Sequence, residues 1–152
     1  MNTKLFFTIL FPILLCGCIG TPKTLSVIEA DWLAPEQAVF AAAKHAPNAI
    51  ECTIYFTVKA AGEQDGVIYR NSEKDYRDQR NVSIAILPNA QMEVSRIYGK
   101  GAKEFFLAKT IAVEGLVQRV TIIFTVDGKP TEKFYYQTQI PVQFASQISL
   151  IR

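Results

Sequence analysis

Histidine is almost missing from this sequence: His45 is the only one among 152 residues. Proton-transfer and nucleophilic catalysis depend on a proton carrier or nucleophile held beside a partner, and no Gly-flanked serine here has the setting of a nucleophile elbow. The chain is therefore expected not to be an enzyme. His45 itself falls at the end of a helical stretch, where interaction with the helix dipole accounts for it. Cysteine is scarce too, and Cys16, Cys18 and Cys52 make no spaced Cys/His set for zinc. The eight glycines are scattered, so no glycine-rich loop cradles a phosphate. Glu73, Asp75 and Asp78 are interleaved with Lys74, Arg77 and Arg80, whose charges oppose a bound cation. No cofactor and no metal is expected. Nor does one sign of charge prevail: 16 Lys plus Arg against 14 Asp plus Glu leave +2, too little for the positive field of a nucleic-acid binder.

Long apolar runs are limited to Leu5–Leu15, which follows Lys4. A membrane-spanning helix wants about 20 apolar residues, so this short run behind a cation reads as a secretion signal. Next comes Leu15-Cys16-Gly17-Cys18, which resembles the lipobox of bacterial lipoproteins. The resemblance implies that the Cys18 thiol is diacylated, that residues 1–17 are removed and that Cys18 becomes the mature N-terminus. Cys16 does not fit that role, because bulky Leu15 precedes it. Loss of Lys4 would lower the net charge from +2 to +1 and leave Cys52 as the only free thiol, without an intramolecular disulfide. Two or more acyl chains anchor stably, at about 0.8 kcal/mol per buried methylene. In such lipoproteins an Asp after the Cys retains the protein at the inner membrane. Ile19 in that place points to the outer membrane, facing the periplasm.

Residues 18–33, with Gly20 and Pro22 and no sustained period, are expected to form a tether. Residues 34–152 make one domain. APEQAVFAAAKHA reads as a helix, with Pro35 suited to the first turn and Lys44 and His45 near the C-terminal end. From Ile50 the period becomes two: Ile50, Cys52, Ile54, Phe56 and Val58 alternate with polar residues, which predicts a half-buried strand and a buried Cys52. Gly62 to Gly66 is expected to be a turn, and GVIYRN and NVSIAIL the second and third strands. Pro88 opens a helix that Gly99 stops, with another helical piece around Ala102–Leu107. TIAVEGLVQRVTIIFTV returns to strand with a bulge or bend at Gly115, Asp127-Gly128 signals a hairpin, and KFYYQTQIPVQF runs back. Residues 146–151 add a candidate edge strand.

Three strands, a helix and two more strands is the order of an OB-fold, a five-stranded barrel with its helix between the third and fourth strands. The expected fold class is thus mainly β with helices, OB-fold-like and preceded by an N-terminal helix; an open antiparallel sandwich carries the same strands. GVIYRNSEKDYRDQRNVSIAIL, then a helix, then AKTIAVEGLVQRV also resembles small OB-like domains attached to exported bacterial proteins, over about residues 50–126.

Between the second and third strands lies SEKDYRDQR, too polar for a core. It reads either as a solvated, internally paired loop or as a recognition loop. OB barrels bind ligands across strands two and three and between the flanking loops, which nominates Tyr69, Arg70, Tyr76, Arg77 and Arg80, with Asp127–Thr131 as a second loop. Tyr plus Arg suits stacking on a base and equally a protein hot spot. Tyr135 and Tyr136 must face opposite ways in a strand, Tyr135 sharing its side with polar Lys133, Gln137 and Gln139. The expectation is a lipid-anchored binding module contacting another envelope or secretion-system protein. The competing reading is single-stranded nucleic acid or an oligosaccharide on the barrel face.

Overall fold

The computed structural model describes Thr24–Leu25 and residues 31–151. The signal segment, the Cys18 lipobox and most of the tether lie outside the described residues. The tether region does touch the domain: β1 (Thr24–Leu25) pairs in parallel with the last strand, β8 (Ile148–Ile151). That strand also pairs antiparallel with β6 (Thr110–Val126), so β8 is interior and not the expected edge.

Helix α1 (Pro35–His45) starts on Pro35, where a missing N–H costs nothing, and Gln37 Oε1 accepts the Ala34 N–H at 2.8 Å. At the other end His45 Nδ1–H donates to the Ala41 carbonyl at 2.9 Å, a local role that occupies the ring. Ala38 and Ala42 are its buried residues. One turn apart and small, they let the helix lie close on β6 and on β2 (Ile50–Thr57).

The first β run is longer than its alternation suggested. β2 pairs antiparallel with β6 from Thr57↔Thr110 to Ile50↔Val117. Val58 N–H then donates to Lys109 O, and Lys59 N–H to Asn71 O, both at 2.9 Å. There the chain changes partner and continues as β3 (Ala60–Gln64) against β4 (Val67–Asn71). The turn expected over Gly62–Gly66 is therefore only Asp65-Gly66, at φ 51° and 76°, the left-handed pair of a two-residue hairpin turn. Gly62 belongs to the ladder, paired across from Tyr69.

β4 pairs antiparallel with β5 (Val82–Ile86), and β5 pairs in parallel with β7 (Lys129–Val142). Between β5 and β6 come α2 (Pro88–Tyr98), ended by left-handed Gly99 at φ 66°, and short α3 (Ala102–Phe105). The ladders thus run β3–β4–β5–β7–β6–β2, and β2 and β3 are consecutive pieces of one chain, with no ladder joining them among the described residues. Ile54, Phe56, Ile84, Ile86, Ile111, Val113 and Ile140 fill the interior with Val94 of α2 and Phe106. Burial of each such large side chain stabilises by about 1.5–3 kcal/mol.

Two local expectations change. Gly115 makes no bulge, since Cys52↔Gly115 keeps the register on either side. It is glycine because a Cβ there would sit 3.0 Å from Ile140 Cγ2 and 3.2 Å from Gln147 Nε2. The shift lies farther on, between Ile123 and Thr125. Cys52 faces the core side but is half-buried, not buried, because the residue across from it is that same glycine and covers little. Burial still raises its thiol pKa.

Candidate binding loop and ribbon

The segment between β4 and β5 is a built loop. Its base is a buried polar network around Asn81, itself 3% exposed. Asn81 Oδ1 accepts the Glu73 N–H at 3.0 Å and the Ser72 hydroxyl at 3.3 Å. Asn81 Nδ2 donates to Ser83 Oγ at 3.0 Å and, at 3.4 Å, to Asn71 Oδ1 and the Tyr76 carbonyl. Ser83 donates to Asn71 Oδ1 at 2.6 Å, and Ser72 Oγ accepts the Val82 N–H at 2.9 Å. Above this base, Asp75 and Asp78 each accept the backbone N–H two residues on, at 2.9 Å, which folds the loop into two tight turns.

The five nominated residues separate. Arg70 is fully buried, on the inner face of β4 beside Ile68. Its Nε and Nη2 donate to the Ala102 carbonyl at 3.1 and 2.6 Å, and Nη1 to the Tyr69 carbonyl at 3.0 Å. Desolvation lowers its pKa to about 10, against the attraction of Glu104. Arg70 is thus not a surface contact: strand alternation sends it inward opposite half-buried Tyr69, and it ties β4 to the start of α3. Arg80 is exposed but engaged, its Nε and Nη2 on the two Asp78 oxygens at 3.1 and 2.8 Å. Tyr76 is 44% exposed, with the Arg77 guanidinium 4.9 Å from its ring centre. Lys59 pairs with Glu73 at 2.8 Å. Tyr76 and Arg77 are the nominated pair left facing outward together.

The strand face expected beside them is partly closed, for Ser83 and Ala85 of β5 are buried on the side opposite Ile84. The Asp127–Thr131 loop does not frame the patch either. Gln137 touches the Tyr76 carbonyl at 3.4 Å, and Lys129 lies eight residues farther out along β7, roughly 25 Å.

What adjoins the loop is a two-stranded ribbon, Gln118–Val126 of β6 against Lys129–Gln139 of β7. Gln137 Nε2 joins it to the loop by donating also to the Tyr135 hydroxyl at 3.0 Å. Tyr135 packs on Phe124 at 5.3 Å between ring centres and is opposite Ile122. Its side is therefore less polar than its own strand suggested, because the cross-strand neighbours are apolar. Burial, then the neighbouring Tyr76, push its hydroxyl pKa up. The other face carries Ile123, Phe134 and Tyr136, all exposed, with Arg119 3.8 Å from the Tyr136 ring centre. The hairpin and the opposed Tyr135 and Tyr136 are as the sequence predicts, but the exposed apolar face around Ile123 and Phe134 is not among its expectations. Its signal is present in Thr121–Val126 and Phe134–Tyr136, where apolar residues run consecutively and break the alternation of a one-sided strand.

Elsewhere, an open cleft of about 460 Å³ separates α2 from α3, lined by Met92, Ser95, Lys103 and Glu104 among others. No group of three or more metal-ligating side chains is gathered among the described residues.

The loop carries a direct pH prediction. Hydrogen bonds from the Arg80 guanidinium, and then from its backbone N–H, hold the Asp78 carboxyl at a pKa of about 2. Because the folded value is depressed, the loop stabilisation is present above the ordinary aspartate range and is lost as pH falls through about 2. Carboxyl-carbon NMR should show Asp78 titrating below the ordinary aspartate range, and Arg80→Ala should raise it part of the way back, because the backbone N–H at position 80 still donates. Equal titration in both proteins would mean that the pair does not form in solution.

No family model matches the chain, and no curated protein matches it. Among solved structures it is similar to aspartyl tRNA synthetase from Entamoeba histolytica, at 12% identity and TM-score 0.47 over 97% of this chain and 28% of that one. A protein described as an aspartyl-tRNA synthetase from Leishmania major Friedlin is similar at 11% identity and TM-score 0.45, over 86% of this chain and 23% of that one. The chain spans about a quarter of the length of these structures.

Proposed function

We propose that this chain is a non-enzymatic binding module, an OB-like domain held by lipid on Cys18 at the outer membrane and facing the periplasm. Its partner is another envelope or secretion-system protein, contacted through Tyr76, Arg77 and the adjoining face of the ribbon. The OB reading is supported by the strand order: β2 and β3 as consecutive pieces of one run, then β4 and β5 before α2, β6 and β7 after it, and β5 paired in parallel with β7. The observation that carries the binding reading is the prefolded loop. Asn81 and the two Asp turns hold the backbone under Tyr76 and Arg77 before any partner arrives, so little ordering entropy opposes binding. Exposed aromatic and Arg side chains on a fixed backbone are the composition of protein hot spots.

The nucleic-acid reading draws on the same ring and guanidinium. Against it stand Glu73, Asp75 and Asp78, which lie within the same ten-residue loop and inside a Debye length of about 8 Å. Titration of a labelled oligonucleotide is expected to show no appreciable binding at physiological salt. A photo-crosslinking residue at position 76 should yield a protein adduct in envelope preparations, weakened by Arg77→Ala, and the same residue at Lys44 on α1 should not. Tight, salt-sensitive oligonucleotide binding without adducts would replace this reading with the alternative. For the tether, a fatty-acid probe should label the wild type and not Cys18→Ala, which should be released or remain unprocessed.

A further inference from the structure

The ribbon has two outer edges, and they are not alike. Along β7 the edge beyond Gln137 carries Lys129, Pro130, Glu132 and Lys133 and is broken by the irregularity opposite Phe124. Pro, charge and bulge are the devices that keep a strand from pairing with another chain. Along β6 the ladder with β2 ends at Val117. From Gln118 to Val126 no other strand covers that side among the described residues. There the sequence is Val-Thr-Ile-Ile-Phe-Thr-Val, residues 120–126, without charge, proline or glycine. One edge is guarded and the other is an uncharged, β-branched template, unpaired among the described residues.

We propose that the free edge of β6 pairs antiparallel with the same edge of a second copy of this chain, about a twofold axis at Ile123. A twofold axis normal to the sheet keeps each residue on its own face, so the axis must fall on a residue and not between two. Centred on Ile123, Ile123 meets Ile123, Ile122 meets Phe124, Thr121 meets Thr125 and Val120 meets Val126. At both ends Arg119 comes opposite Asp127, the first residue of the β6–β7 turn, at φ 52°. These are the cross-strand pairs that stabilise sheets: aromatic with β-branched, Thr with Thr, and opposite charges. Moving the axis to Ile122 puts Arg119 against Thr125, and moving it to Phe124 puts Asp127 against Thr121. Either shift loses both ion pairs, so charge complementarity selects the second copy and one register. The two ribbons become a four-stranded sheet, with Ile123 and Tyr136 of both copies on one face. Tyr76 and Arg77 adjoin the opposite face, so this inference stands apart from the partner reading above.

The test uses the full chain in mild detergent. Sedimentation equilibrium should give a dimer, and Ile123→Lys, which sets two cations face to face on the axis, should weaken it by about tenfold or more. Ile123 is exposed, so the variant is expected to fold, and a circular dichroism spectrum matching wild type checks this. Arg119→Glu should weaken the dimer too, by facing Asp127. A short-armed thiol cross-linker should join Ile123→Cys to itself, and Thr121→Cys to Thr125→Cys only when the two are mixed, above the background set by the parent chain's own cysteines. A monomer at every concentration would overturn the proposal. So would a dimer indifferent to Ile123→Lys, or cross-links in another register.

Discussion

Arg70→Ala should cost this protein about 3–5 kcal/mol, a large share of the 5–15 kcal/mol that holds a typical domain. The guanidinium is fully buried, and it donates to carbonyl groups of two separate segments, Tyr69 on β4 and Ala102 at the start of α3. Truncation removes that cross-tie, opens a cavity the length of the side chain and leaves the Ala102 carbonyl without its two donors. Arg70→Met separates these effects. Methionine restores most of the volume and takes the buried charge away with its desolvation cost, so the remaining loss is the unpaired carbonyl, about 1–3 kcal/mol. Arg70→Lys keeps charge but cannot present the planar fork. Denaturant midpoints should rank wild type above Met and Met above Ala. If Ala and wild type unfold together, the buried arginine is not what fastens α3 to the sheet.

Asn81→Leu should cost about 2–4 kcal/mol, and its damage should be local as well as global. Leucine nearly matches the volume but offers no partner to the Glu73 N–H or Ser72, and it removes a donor from Ser83, Asn71 and the Tyr76 carbonyl. Hydrogen exchange at the Glu73 amide should accelerate more than at β5 amides, since the loop opens before the sheet does. Asn81→Asp gives a charge-based control. A carboxylate there keeps the acceptor toward Glu73 but turns its second oxygen on Asn71 Oδ1 and the Tyr76 carbonyl. Burial and those acceptors raise its folded pKa above the unfolded value of about 3.9. The variant should therefore be closest to wild type below that pH and lose stability as pH rises until the folded group ionises. A pH-independent difference would show that water reaches the site and solvates the charge.

The elements were legible because local rules dictate them. Pro35 and Pro88 at helix starts, Gly99 at a stop and Asp127-Gly128 at a hairpin act through backbone geometry alone, and α1, α2 and the β6–β7 turn occur where those residues put them. The strand break at Val58–Lys59 was not legible, because it comes from Lys109 and Asn71 taking over the backbone hydrogen bonds. The candidate site was half legible. Tyr76 and Arg77 announced themselves by composition, but that Arg70 turns inward while Arg80 is held by Asp78 depends on what the facing elements offer.

By itself, then, the sequence determined the order and kind of elements, the near-balance of charge and the dense mixed-sign loop between two strands. Only the tertiary structure decided which side of that loop faces water, which arginine becomes a structural tie and that β6 runs past the end of its ladder with β2 at Val117, leaving that edge unpaired among the described residues. Local geometry needs only neighbours along the chain. Burial, satisfaction of polar groups and exposed edges are set by residues far apart in sequence, such as Arg70 with Ala102 and Gln137 with Tyr76, which meet when the sheet assembles.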